Sequence, residues 1–117
     1  MPRFVILEHD HPDRHWDLML EAGETLQTWR LSALPEVGQA VRAERSFDHR
    51  RFYLDYEGPI RDNRGHVTRQ ECGTFDWEIV EEGRTVVRLK GMRLVGLLRL
   101  ERDAEGGWTA SFGSASD

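Results

Sequence analysis

Apolar residues in this chain return mostly at every second position, and no window holds a period near 3.6 for the length of an ordinary helix. That alternation constrains the fold more than any other feature. Runs with it are separated by Gly-, Pro-, Asn- and Asp-bearing turns such as "EAGE", "EVGQ", "DNRG", "EEGR" and "AEGG". The pattern predicts ten short strands: Arg3–Glu8, His15–Glu21, Thr25–Leu31, Val41–Phe47, Arg51–Tyr56, His66–Glu71, Thr74–Val80, Arg84–Lys90, Arg93–Glu101 and Trp108–Phe112. Leu34–Ala40 contains a proline and a glycine and leaves room for one turn at most. So many short, closely spaced strands need their edges covered. An all-β, closed or nearly closed antiparallel β-barrel is therefore expected, with a β-sandwich as the alternative.

At 117 residues, the whole span 1–117 is expected to form a single domain with a self-sufficient core. One cysteine, Cys72, cannot form an internal disulfide, and the residues around it suit a structural thiol at a strand end. The apolar run near the N-terminus is too short for a signal peptide, and no stretch could span a bilayer. A cytoplasmic protein without membrane association is expected. A net charge of −5 argues against bulk attraction to nucleic acid. Yet Lys90 is the only lysine among 16 basic residues, and arginine's planar fork suits phosphate recognition. No phosphate-binding loop, dinucleotide motif or nucleophile elbow is present.

"EHDHPDRHWDLMLE", Glu8 to Glu21, gathers three of the five histidines and three aspartates. On a strand, Trp16, Leu18 and Leu20 share the core face, while His15, Asp17, Met19 and Glu21 share the other. His9 ends the preceding strand, and "DHPDR" can return the chain beside it. Two imidazoles and a carboxylate make a mixed N/O set for Mn²⁺, Fe²⁺, Zn²⁺ or a similar ion. A solvated polar strand face fits the same spacing. His11 reads as a loop residue and His66 as a surface one. In "FDHRRFYLDYEG", a strand over Arg51–Tyr56 would turn Phe52, Leu54 and Tyr56 inward and Arg51, Tyr53 and Asp55 outward. With His49 just before it, this surface could hold an oxyanion, or it could be a plain amphipathic strand.

Taken together, these stretches resemble the 3′-phosphoesterase domain of bacterial DNA ligase D and its free-standing relatives. The family segment R-F-V-I-x-x-H-x5-H-Y/W-D-x-R-L-E is matched by "RFVILEHDHPDRHWDLMLE". "LQTWRLSALP" follows L-x-S-W-A-x-P, and "DHRRFYLDYEG" follows D-H-P-x-x-Y-x-D-F-E-G without a gap. "GHVTRQECGTF" and "LKGMRLVGLLRLER" resemble two further blocks in the same order. The resemblance implies a β-barrel with an open, crescent-shaped groove. It also implies metal-dependent trimming of 3′ ends, removing a terminal ribonucleotide and then the remaining 3′-phosphate. Mn²⁺ is the implied metal, with Zn²⁺ or Co²⁺ as alternatives. His9, His15 and Asp17 match the metal positions, His49 and Tyr53 the residues that engage the scissile phosphate as catalytic groups, and Arg3 an arginine suited to phosphate contact. DNA or RNA–DNA 3′ ends are the implied partners, with ligase or polymerase activities supplied by separate proteins.

One departure stands out. The family's D-x-R places an arginine two residues after the metal-binding aspartate, where this chain has Met19. A thioether cannot donate to an oxyanion, and losing one such contact costs roughly 2–4 kcal/mol of transition-state stabilisation. Arg14, Arg30, Arg50 and Arg51 lie near the motifs as substitutes. The P-K-G that follows the family's tryptophan is absent, and Glu8 stands where many members carry lysine. The competing expectation is a catalytically inactive metal-binding module that recognises nucleic-acid ends. A cupin-like barrel built on "HDH" lacks the required glutamate and second histidine motif.

Overall fold

The computed structural model describes residues 1–114; the last three residues of the expected 1–117 domain lie outside the described residues. The strands are β1 (Arg3–His9), β2 (His15–Ala22), β3 (Thr25–Leu31), β4 (Ala40–Arg45), β5 (His49–Arg50), β6 (Gly58–Pro59), β7 (His66–Glu81), β8 (Arg84–Gly91), β9 (Val95–Arg102) and β10 (Trp108–Gly113). They form one ten-stranded sheet in the order β1-β2-β3-β4-β10-β9-β8-β7-β6, and β1 also pairs with β7. That last pairing closes eight of the strands into an antiparallel barrel, with β5 and β6 as short additions on β3 and β7. The barrel expectation holds.

Alternation fills the barrel. Phe4, Ile6, Leu18, Leu20, Phe75 and Leu98 are among the side chains that meet inside it. Each such burial stabilises by about 1.5–3 kcal/mol. The outer face of β1 and β2 is also covered. There Val5, Leu7 and Met19 pack with Leu26, Leu54 and Val67 into a second, smaller core. The strand face carrying His15, Asp17 and Met19 is thus buried rather than solvated, with Met19 only 1% exposed in the same core as Leu54.

The segment that brings Leu54 into this core corrects the expected strand over Arg51–Tyr56. Arg51–Leu54 is instead a 3₁₀ turn. The physical reason is a lack of partner: β5 pairs with β3, but β3 begins at Thr25, which already faces Arg50. Beyond Arg50 no backbone remains to pair with, so the chain curls. The curl exposes Phe52, against the expected inward facing, while Leu54 is buried in the second core as expected. Ion pairs from Arg3 to Asp55 (2.6 Å) and from Arg51 to Glu21 tie this turn to β1 and β2.

A second correction concerns His66–Glu71 and Thr74–Val80, which are one continuous strand. Gly73 reads as a break, yet it pairs with Phe4 of β1 and with Gly91 of β8. A Cβ there would lie 2.1 Å from the Lys90 carbonyl oxygen, so the glycine allows a close backbone approach.

Candidate active site

The β1–β2 hairpin register assembles the histidine cluster. His9, the last residue of β1, is the cross-strand partner of His15, the first of β2. Their rings sit 4.9 Å apart between centroids. Asp17, two residues along β2, projects to the same side. Its Oδ2 lies 3.2 Å from His15 Nε2 and 3.8 Å from His9 Nδ1. One ligand atom from each of the three residues falls within 4.8 Å of the others.

The opposite nitrogen of each ring is pinned by a backbone carbonyl. His9 Nε2–H donates to the Arg64 carbonyl and His15 Nδ1–H to the Asp13 carbonyl, both at 2.8 Å. A carbonyl can only accept, so in the neutral rings His9 Nδ1 and His15 Nε2 are lone pairs aimed toward a carboxylate. Three acceptors converging on one point require a proton or a cation between them. Without an ion the proton takes that place: hydrogen bonding to Asp17 is the main influence raising the His15 pKa above its ordinary value. Orienting carbonyls behind the rings are also the usual support of metal-binding histidines. The donor set therefore fits a divalent ion.

Local sequence explains the pinning. Asp62 and Asn63 adopt left-handed backbone (φ 61° and 59°), a conformation open to Asp and Asn, and this turn carries the Arg64 carbonyl to His9. Asp10 accepts the His66 backbone N–H at 2.7 Å and holds the hairpin end against β7.

His9 and Asp17 of the cluster border a cleft of about 370 Å³. His49 and Tyr53 line the same cleft. His49 donates Nδ1–H to the Phe47 carbonyl at 2.9 Å, which leaves Nε2 as its acceptor. Burial pushes its pKa below the ordinary histidine value, so its neutral form is favoured. The Tyr53 ring meets it edge-on at 5.7 Å, and the Tyr53 hydroxyl makes no hydrogen bond among the described residues. Phe47, 74% exposed, stacks on His49 with its ring nearly parallel.

His9, Asp17, His49 and Tyr53 all border this cleft, and His15 stands behind Asp17. Arg3 does not border it. It stands at the other end of β1, bound to Asp55. Met19 borders the cleft from the second core. Of the four arginines near the motifs, Arg14 is paired to Glu8 and Arg51 to Glu21, whereas Arg30 and Arg50 line the cleft. With Arg64, the cleft carries three arginines against two aspartates, Asp17 and Asp48. Asp48 is itself bound by Arg45 at 3.0 Å. An acidic protein thus presents a cationic hollow. Sequence reasoning missed Phe47 and the carbonyls of Asp13 and Arg64. A phenylalanine two residues before His49 is visible in the sequence; its exposure and the carbonyl positions depend on the folded loops and are not.

A sequence model of the family described as "DNA Ligase D 3'-phosphoesterase domain" matches residues 7–102. The chain is also 30% identical over 112 residues to the "Multifunctional non-homologous end joining protein LigD" of Pseudomonas aeruginosa (strain PAO1). That match covers 86% of this chain but only 13% of the longer protein.

Proposed function

The chain belongs to the DNA ligase D 3′-phosphoesterase domain family, and from that premise we propose that it is a metal-dependent phosphoesterase of nucleic-acid 3′ ends. Its substrates are DNA or RNA–DNA ends bearing a terminal ribonucleotide or a 3′-phosphate. It works in end joining in the cytoplasm, in concert with ligase or polymerase activities. The observation that carries this reading is the convergence of His9 Nδ1, His15 Nε2 and Asp17 Oδ2, beside a cleft with an arginine excess.

A divalent ion held by His9, His15 and Asp17, Mn²⁺ by preference and Zn²⁺ or Co²⁺ otherwise, would polarise a phosphate oxygen as a Lewis acid. The protein's own groups do the rest. The Arg64 and Asp13 carbonyls fix the ring tautomers, so the ligand lone pairs are ready before substrate arrives. Tyr53 offers an uncommitted hydroxyl to a phosphate oxygen. His49 is neutral when the cleft is empty. It gains a proton when a phosphate anion sits at Nε2, and it can then pass that proton to the leaving oxygen. The open face of Phe47 can stack the terminal base.

The test is purified protein with Mn²⁺ and a labelled primer–template ending in one ribonucleotide or a 3′-phosphate. Trimming that chelation abolishes is expected. Intact ends, with a ligase D domain cutting alongside, would refute the proposal. Met19 motivates a second reading, a module that binds such ends without cutting them. Tight end binding without turnover would establish that reading instead.

A further inference from the structure

The family pattern has an arginine where this chain has Met19, and Met19 lies in the second core, 1% exposed. On the neighbouring strand β3, Arg30 is the cross-strand partner of Asp17. Directly opposed residues in an antiparallel pair project from the same face with Cβ atoms about 4.5–5.5 Å apart. Arg30 therefore rises beside the metal-type cluster, from the strand next to the one where the pattern expects an arginine.

Its guanidinium is also uncommitted. Arg50 lies over the Phe52 ring at 5.8 Å, and Arg64 Nε donates to the Arg61 carbonyl at 2.9 Å. Among the described residues, Arg30 alone of the three cleft arginines has no side-chain hydrogen bond, ion pair or ring contact. It is exposed, and it borders both the cleft and a neighbouring hollow that carries Arg42 and Trp108. The second hollow is also lined by Glu44, Asp103 and Glu105, so a phosphate approaches Arg30 from the cleft side.

We infer that Arg30 is the phosphate-gripping arginine of this protein, a role moved across the β2–β3 ladder from position 19. The inference rests on reading the cleft as a phosphoesterase site. Arg30 takes up two non-bridging oxygens of the terminal phosphate through its planar fork, which lysine cannot reproduce. Met19 is then free to serve as packing for the cleft floor.

The experiment compares wild type, Arg30→Ala, Arg30→Lys and Arg50→Ala. One measurement is single-turnover end trimming with Mn²⁺. A second is metal-free binding of a short DNA oligonucleotide ending in 3′-phosphate or 3′-hydroxyl. A third is Mn²⁺ affinity. Arg30→Ala is expected to lower trimming about 100-fold, to abolish the preference for the phosphate end, and to leave Mn²⁺ affinity unchanged. Arg30→Lys should recover only part of the rate, and Arg50→Ala should keep the preference. Full rate and preference in Arg30→Ala overturn the inference while leaving the proposed function intact, as does loss that follows Arg50 instead. If wild type trims nothing, the proposed function falls and the binding comparison decides: preference lost with Arg30 supports the phosphate seat, and preference kept in Arg30→Ala overturns it.

Discussion

Two carboxylates flank β1 and are nearly equally hidden: Glu71 on β7 is 3% exposed and Asp17 on β2 is 5% exposed. Their surroundings differ completely. Glu71 accepts four backbone N–H groups, from Cys72, Met92, Arg93 and Leu94, at 2.6–2.9 Å. It locks the β8–β9 connection against β7. Asp17 accepts no backbone donor among the described residues; its partners are two imidazoles, His15 Nε2 at 3.2 Å and His9 Nδ1 at 3.8 Å. Burial alone does not mark a functional carboxylate; what its oxygens are offered does. Glu71 is complete as it stands, whereas Asp17 needs a proton on His15 or a cation between the rings.

Asp17→Asn tests this contrast most severely. Removing a group that only orients a metal ligand costs 10–100-fold in metal affinity, so loss of a ligand should cost about 10³-fold or more in Mn²⁺ affinity and in trimming. Thermal stability without metal should change by less than about 1.5 kcal/mol, because no backbone group loses its partner and the asparagine oxygen can still accept from His15 Nε2–H. Mn²⁺ titration and a melting curve check both halves, and a large loss of stability would erase the distinction.

Glu71→Gln should do the reverse. An amide nitrogen would face donors that now point at a carboxylate, a cost of about 2–3 kcal/mol by chemical denaturation. Trimming per folded molecule should stay within about twofold, since Glu71 does not border the cleft.

Acid sharpens the comparison further. Burial works to raise the Glu71 pKa, but the backbone N–H groups of Leu94, Arg93, Met92 and Cys72 outweigh it and hold the value below 4.5. A depressed folded pKa contributes stability above the unfolded value and loses it as pH falls through the folded one. The stability of wild type should therefore decline below pH 4.5, and Glu71→Gln should flatten that decline. Equal slopes would mean that the backbone cradle carries no linkage.

The smallest effect belongs to Arg3. Its pair with Asp55 is solvent-exposed on both sides, so Arg3→Ala should cost less than about 1 kcal/mol. A modest rise in KM from a looser 3₁₀ turn is the expected kinetic trace. A large fall in kcat would show Arg3 acting on substrate rather than on the turn.

The barrel was legible because period-two alternation is a local signal that closure preserves. The histidine cluster was legible because His9, His15 and Asp17 sit on a single hairpin, whose register brings sequence neighbours together. What escaped depended on remote partners. Arg51–Leu54 alternates like a strand but has no strand to join. Gly73 punctuates like a turn but marks where two backbones nearly touch. Glu71 looks like any polar strand residue until the β8–β9 connection closes over it.

The cleft is built on the outside of the barrel wall, while Phe4, Ile6, Leu18 and Leu20 fill the inside from alternate positions of the same strands. Odd and even positions along β1 and β2 therefore answer to separate demands. A lineage, or an engineer, can retune what the groove accepts without disturbing the seam that keeps the cylinder shut, and an exchange such as methionine for arginine becomes an affordable step rather than a ruinous one.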